Sequence, residues 1–133
     1  MNCEWATPQD LFDSLNKEFH FTLDPCCTIE NAKCERFYTK AEDGLSQDWT
    51  GETVFMNPPY SRSEMPKWIQ RAYESSLAGS KVVCLLPAKT DTRWFHDFCL
   101  KGEIRFIKGR ICFGSGEGRA PFPSMVVIFN GAK

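Results

Sequence analysis

Five consecutive apolar residues, Val82-Val83-Cys84-Leu85-Leu86, constrain this chain more than any other stretch. They follow Lys81 and are closed by Pro87. A half-exposed strand would alternate apolar and polar residues. An unbroken run is instead suited to a strand buried on both faces, as in a parallel sheet with a helical layer on each side. The segment before it fits that plan. Met65 to Leu77 places Trp68, Ile69, Ala72, Tyr73 and Ser76 on one side of a helix, and Gly79 ends it.

The other elements follow the same alternation. Thr7-Pro8 predicts a helix start, with Thr7 as N-cap and Pro8 in the first turn. Leu11, Phe12, Leu15 and Phe19 then share a face. Phe21-Thr22-Leu23 reads as a short strand that stops at Asp24-Pro25, because proline cannot donate to a ladder. Residues 28–35 read as a short helix or turn, Phe37-Tyr38-Thr39 as a strand and residues 41–51 as polar loop. Thr53-Val54-Phe55-Met56 and Ile104-Arg105-Phe106-Ile107 are strands, with a short helix over Thr92 to Leu100 between them. The last strand is Ser124 to Phe129. The final two strands, joined by Gly114-Ser115-Gly116-Glu117-Gly118, are expected to make an antiparallel hairpin at the sheet edge. The expectation is an α/β fold with a mostly parallel sheet and an antiparallel edge strand.

With 133 residues the chain suits one domain, residues 1–133, able to bury a core without staples. No run approaches the roughly 18 apolar residues a bilayer span needs. The start, Met1-Asn2-Cys3-Glu4-Trp5, has neither the basic nor the apolar part of a leader, so a cytoplasmic protein is expected. Seven cysteines, an odd number, then read as thiols in a reducing compartment. Cys26, Cys27 and Cys34 cluster without a Cys-x-x-Cys pair, and His20 and His96 lie far apart, so no metal site is expected. The net charge of −1 hides an asymmetry. Residues 1–60 carry 4 basic and 11 acidic side chains, and residues 61–133 carry 12 and 6. A uniformly basic nucleic-acid binder is excluded, while a chain with a basic half facing a polyanion is not.

The chemistry is concentrated in Asn57-Pro58-Pro59-Tyr60, directly after the strand ending at Met56. The carboxyl ends of strands are where open α/β sheets bind ligands. An exocyclic amine on a nucleobase is a poor nucleophile, since its lone pair is delocalised into the ring. Two acceptors aimed at its N–H groups would hold the nitrogen near tetrahedral geometry. The Asn57 amide oxygen and the Pro58 carbonyl supply them. Two prolines restrict the loop, with Pro59 shaping it, and so preorganise those acceptors. Tyr60 offers a flat face for a base taken out of the stack. A plain Pro-Pro turn ending a strand is the bland alternative.

Six stretches in this order are similar to the phage N-6-adenine DNA methyltransferases of the Dam type. They are Trp5-Ala6-Thr7-Pro8, Phe21-Thr22-Leu23-Asp24-Pro25-Cys26, Asp43-Gly44-Leu45, Asn57-Pro58-Pro59-Tyr60, Leu85-Leu86-Pro87-Ala88-Lys89-Thr90-Asp91-Thr92 and Ala120-Pro121-Phe122-Pro123-Ser124-Met125. The resemblance implies a minimal Rossmann-like methyltransferase fold, S-adenosylmethionine as donor, and adenine N6 in DNA as acceptor. It implies that Thr7 and Pro8 close over the methionine part of the cofactor and that Asp24-Pro25-Cys26 holds the same part. A carboxylate there suits an α-ammonium group. Asp43 would meet the cofactor's adenine and Glu42 its ribose. Phe113 resembles a late aromatic that packs against the flipped base, with a core role as the alternative.

Two departures stand out. The loop Asp24-Pro25-Cys26-Cys27-Thr28 lacks the glycines common after the first strand of methyltransferases. No separate target-recognition domain is expected within residues 1–133, so DNA reading would fall to short loops or to a second copy in a homodimer. Lys89, Arg93, Lys108, Arg110 and Arg119 are candidates for phosphate contacts, or else a solvated basic face. A phage or prophage origin, with protection of DNA from restriction, is what the resemblance suggests. The same motif would also serve an enzyme acting on RNA adenine or protein glutamine. A non-catalytic nucleic-acid-binding partner subunit is the remaining alternative.

Overall fold

A computed structural model describes residues 7–111 and 121–131. Helix α1, Gln9–Phe19, leads into strand β1, Asp24–Cys27, and β2, Phe37–Thr39. Two short 3-10 turns, Lys40–Glu42 and Gly44–Ser46, carry the chain to β3, Thr53–Met56. Helix α2, Met65–Leu77, and β4, Lys81–Pro87, follow. Then come α3, Arg93–Asp97, a 3-10 turn, β5, Glu103–Phe106, and β6, Ser124–Phe129.

Four strands form one sheet in the order β3-β4-β6-β5, and β1 and β2 form a second. A parallel bridge between Leu23 and Val54 joins the two, reinforced by the Phe55 amide donating to the Leu23 carbonyl at 3.0 Å. β1 with β2 and β3 with β4 are parallel pairs, whereas β6 is antiparallel to both β4 and β5. The four-stranded sheet is therefore mixed.

Alternate residues of the central strands enter two different cores, as the unbroken apolar runs require. Val54 and Met56, with Val82, Cys84 and Leu86, and with Met125, Val127 and Phe129, meet Trp68, Ile69 and Ala72 of α2 and Phe95 of α3. Phe55, Val83, Leu85, Val126 and Ile128 meet Phe12 and Leu15 of α1 on the other side. Each such side chain contributes about 1.5–3 kcal/mol by leaving water, so both layers are held firmly to the sheet. Trp49 is fully buried and stacks on Trp68, with ring centroids 6.2 Å apart.

Three expectations are corrected. The last two strands do pair antiparallel at the sheet edge, but the four-stranded sheet is not mostly parallel: β6 is buried along its whole length, lies between β4 and β5 and is antiparallel to both. The edge belongs to β5, whose Glu103 and Phe106 are exposed. An all-apolar strand needs neighbours on both sides, and a strand with exposed ends tolerates one. Chain does not leave the sheet at Pro25, because β1 runs through it. The β1–β2 register shifts between Asp24 and Cys27, and such an irregularity is where a residue without an N–H fits. The cap position of α1 is Pro8 rather than Thr7. Thr7 is buried and its hydroxyl has a different partner, described below. Of the two readings for residues 28–35, the turn is the one found, at residues 29–31.

Candidate active site at the carboxyl edge of the sheet

Parallel strands end at the same edge, so topology gathers the predicted residues. β1 delivers Asp24-Pro25-Cys26 beside the end of β3, where Asn57-Pro58-Pro59-Tyr60 begins. β4 ends at Pro87, followed by exposed Lys89 and by Arg93 at the start of α3. β5 is antiparallel to β6, as is β4, so β4 and β5 run the same way. Residues Lys108 and Arg110, both exposed, therefore follow β5 at this same edge. The amino end of β6 returns here too, with the Ala88 amide donating to the Pro123 carbonyl at 2.9 Å. Phe113 and Arg119 lie outside the described residues.

Asn57 is held from the amino-terminal segment. Its Nδ2 donates to the Thr7 hydroxyl oxygen at 3.0 Å, across 50 residues of sequence. An amide is planar, so fixing Nδ2 on Thr7 turns Oδ1 the opposite way. Pro58 is buried and Pro59 half-buried. Tyr60 is anchored twice. Its hydroxyl donates to the Leu85 carbonyl at 2.9 Å, and its ring meets Phe122 edge-on with centroids 5.6 Å apart. Burial pushes the Tyr60 phenol well above its ordinary range, with the nearby Cys84 and Cys26 thiols adding to the shift. Tyr60 is thus a neutral hydrogen-bond donor.

Asp24 is 3% exposed. One carboxylate oxygen accepts from the Cys26 amide at 3.4 Å and the other from the Lys33 amide at 3.1 Å. Burial nevertheless raises its pKa to about 6, and those amides with the Lys33 charge only partly offset the effect. This is a carboxylate that gains from a further cation. It also shapes the loop after β1, a role that residue type alone does not reveal. Burial likewise pushes the Cys34 thiol up to about 12, so that neighbour is a neutral thiol.

Asp43 reaches the site through its neighbour. It takes a left-handed conformation, φ 53°, between the two 3-10 turns, and is exposed. Gly44 after it is buried against Pro25 and Trp68, and its carbonyl accepts from Trp49 Nε1 at 2.9 Å. Any side chain at Gly44 would run into the Pro25 carbonyl. Asp43 and Asp24 are therefore brought to one loop cluster by a backbone contact only glycine permits. Glu42 is differently engaged, its carboxylate accepting from the Thr39 amide at 2.7 Å and hydroxyl at 3.1 Å. His96, exposed, has Nε2 2.8 Å from the Thr90 carbonyl, a local contact away from the Asn57 loop.

Sequence reasoning missed three contributors: Gly44 as the packing point, Phe122 as the brace of Tyr60, and Thr7 as the partner of Asn57. All lie in stretches already singled out, but only contact gives them these roles. Among the described residues no cluster of three or more His, Cys, Asp or Glu could hold a metal, and no helix is long and apolar enough to cross a membrane.

Comparison with known proteins identifies the family. Residues 2–130 match the family described as DNA N-6-adenine-methyltransferase (Dam). A DNA N-6-adenine-methyltransferase of Haemophilus phage HP1 is 35% identical over 135 aligned positions, covering 94% of this chain and 77% of that protein. One from Escherichia phage T1 is 32% identical over 131 positions, covering 85% of this chain and 54% of that longer protein. A shorter stretch of 64 positions is 36% identical to a putative methyltransferase, YfdM, of Escherichia coli K12. With the match running through both halves of the site, the chain belongs to the DNA N-6-adenine-methyltransferase (Dam) family.

Proposed function

We propose that this chain transfers a methyl group from S-adenosylmethionine to the N6 amine of adenine in DNA. The observation that carries the reading is the Asn57 loop at the end of β3, with its amide held by Thr7. The fold proposed is a Rossmann-like methyltransferase domain over residues 1–133. Its support is that, among the described strands, β6 alone opposes the direction of its neighbours and that helices cover both faces.

The donor set fits the cofactor. A buried carboxylate with a raised pKa suits a cationic amino-acid end, and Asp24 with Pro25 and Cys26 would hold it. Thr7 and Pro8 would close over that part, and exposed Asp43 would meet the adenine end. When bound, the cofactor supplies an electrophilic methyl group on a sulfonium.

The remaining work belongs to the chain. Asn57 Oδ1 and the Pro58 carbonyl accept from the two N–H groups of the target amine, and Pro59 fixes the loop. The nitrogen lone pair becomes available for in-line displacement. Methyl transfer needs no strong base, because the methylated amine loses its proton to water afterwards. Tyr60, braced by Leu85 and Phe122, presents a ring for the extruded base, a contact worth roughly 1–3 kcal/mol. Lys89, Arg93 and Arg110 at the same edge would meet DNA phosphates, and Phe113 would pack against the base. The setting proposed is the cytoplasm of a bacterial host, with a phage or prophage gene.

The test is transfer of labelled methyl to adenine-containing duplex DNA, followed by digestion to nucleosides. The product should be N6-methyladenine, and Asn57→Ala should lose most turnover while still binding cofactor. Label appearing on RNA or protein but not on DNA would refute the acceptor. Unchanged turnover in Asn57→Ala would refute the mechanism.

A further inference from the structure

We infer that Thr7 is a positioning residue for the catalytic amide, and that this hydroxyl couples the amino-terminal segment to the chemistry. The inference rests on the proposed role of Asn57. An asparagine amide has two nearly isosteric faces, and only one is useful. With Oδ1 toward the target amine it accepts a hydrogen bond. Rotated by half a turn it presents N–H to N–H, and the nucleophile is opposed rather than held.

Nothing in the asparagine side chain chooses between these states; a threonine hydroxyl can donate or accept, so what a neighbouring threonine supplies is a fixed anchor for one end of the amide. The Thr7 hydroxyl lies 3.0 Å from Nδ2 and accepts from it. Thr7 is 6% exposed, so the hydroxyl sits in a largely buried place where its bond to Nδ2 faces little competition from water. Its backbone is fixed as well, because Pro8 caps α1 and its carbonyl accepts from the Phe12 amide at 3.1 Å. Phe12 is itself wedged edge-on against Phe55 of β3, centroids 5.2 Å apart. The hydroxyl is therefore referenced to the same strand that carries Asn57. Threonine at this position acts on the acceptor amide rather than on the helix it precedes.

The experiment compares wild type, Thr7→Val, Thr7→Ser and Asn57→Ala. Valine keeps the shape and removes the acceptor, and serine restores it. Steady-state turnover is measured on adenine-containing duplex DNA, with KM for S-adenosylmethionine and for DNA. Alongside, the side-chain amide NMR signals of Asn57 are followed in the protein without ligands.

Thr7→Val should lower kcat on the order of ten- to a hundredfold, the scale of a misplaced catalytic group. The KM for DNA should hold, and the Asn57 amide signals should move. Thr7→Ser should return most of the turnover and the signals. A Thr7→Val enzyme with full kcat, or one whose only defect is a raised KM for S-adenosylmethionine, overturns the inference and leaves Thr7 as a cofactor contact at most. Unperturbed amide signals overturn it too. Failure of the underlying reading looks different: Asn57→Ala would then keep its turnover, or wild type would methylate nothing.

Discussion

Replacing Gly44 by alanine should uncouple the two halves of the cofactor cradle. A Cβ built on Gly44 lands 3.0 Å from the Pro25 carbonyl carbon and 3.0 Å from Trp68 Cη2, and nearer still to the Pro25 oxygen. The Pro25 oxygen is backbone within β1 and Trp68 is 6% exposed in the core, so neither yields easily. Overpacking of this kind costs about 1–3 kcal/mol, and more when backbone must shift. Unfolding entropy of about 2.1 cal/mol/K per residue gives a 133-residue chain a slope of roughly 4 °C per kcal/mol. A fall in Tm of roughly 4–12 °C is expected on that slope, together with disappearance of the Tm rise caused by S-adenosylmethionine. Gly51→Ala is the control. Gly51 has a positive φ, 80°, which Gly44 does not, but open space around its Cβ position and a place at the amino end of β3, away from the site. That variant should suffer only the left-handed backbone penalty of about 1–2 kcal/mol and keep its response to cofactor. Equal falls in Tm for the two variants, with the cofactor response intact in both, would refute the claim that close approach of Gly44 to Pro25 builds the site.

Further predictions concern charge. Asp24 has a folded pKa of about 6 against an ordinary 3.8, so between these values the folded state binds more protons than the unfolded one. The stability this group contributes is therefore fully present below about pH 3.8 and disappears as pH rises through about 6. Cofactor capture needs the ionised form and runs the other way: the S-adenosylmethionine-induced Tm shift should grow from about pH 5 to about pH 7. Thermal melts across that range check it, and a flat response would remove Asp24 as the ammonium partner. For Lys89→Ala and Arg93→Ala, DNA affinity should fall with little dependence on sequence. The slope of log affinity against log salt should also drop by about one unit for each phosphate no longer neutralised. Salt titration of DNA binding measures this, and unchanged slopes would return both residues to a solvated face.

Much of the fold was legible because burial leaves a simple mark. The runs Val54-Phe55-Met56, Val82 to Leu86 and Met125 to Phe129 lack alternation, and only a strand covered on both faces has that pattern. Helix α2 was readable at both ends from its apolar face and the glycine beyond it. Strand order was not readable. Whether an apolar strand lies inside or at an edge depends on pairing between distant segments, which is how β6 came to sit between β4 and β5. At the site, the proposed chemistry was legible in the sequence by itself: Asn57, Pro58, Pro59 and Tyr60 are neighbours along the chain, and the proposed acceptors follow from residue type. Tertiary structure alone decided what holds them. Thr7 is 50 residues from Asn57, Leu85 is 25 from Tyr60, and Gly44 meets Pro25 only because the loop folds back on β1. The pKa of Asp24 belongs to the same class, since a carboxylate's proton affinity is set by the water removed from it and the amides it has gained.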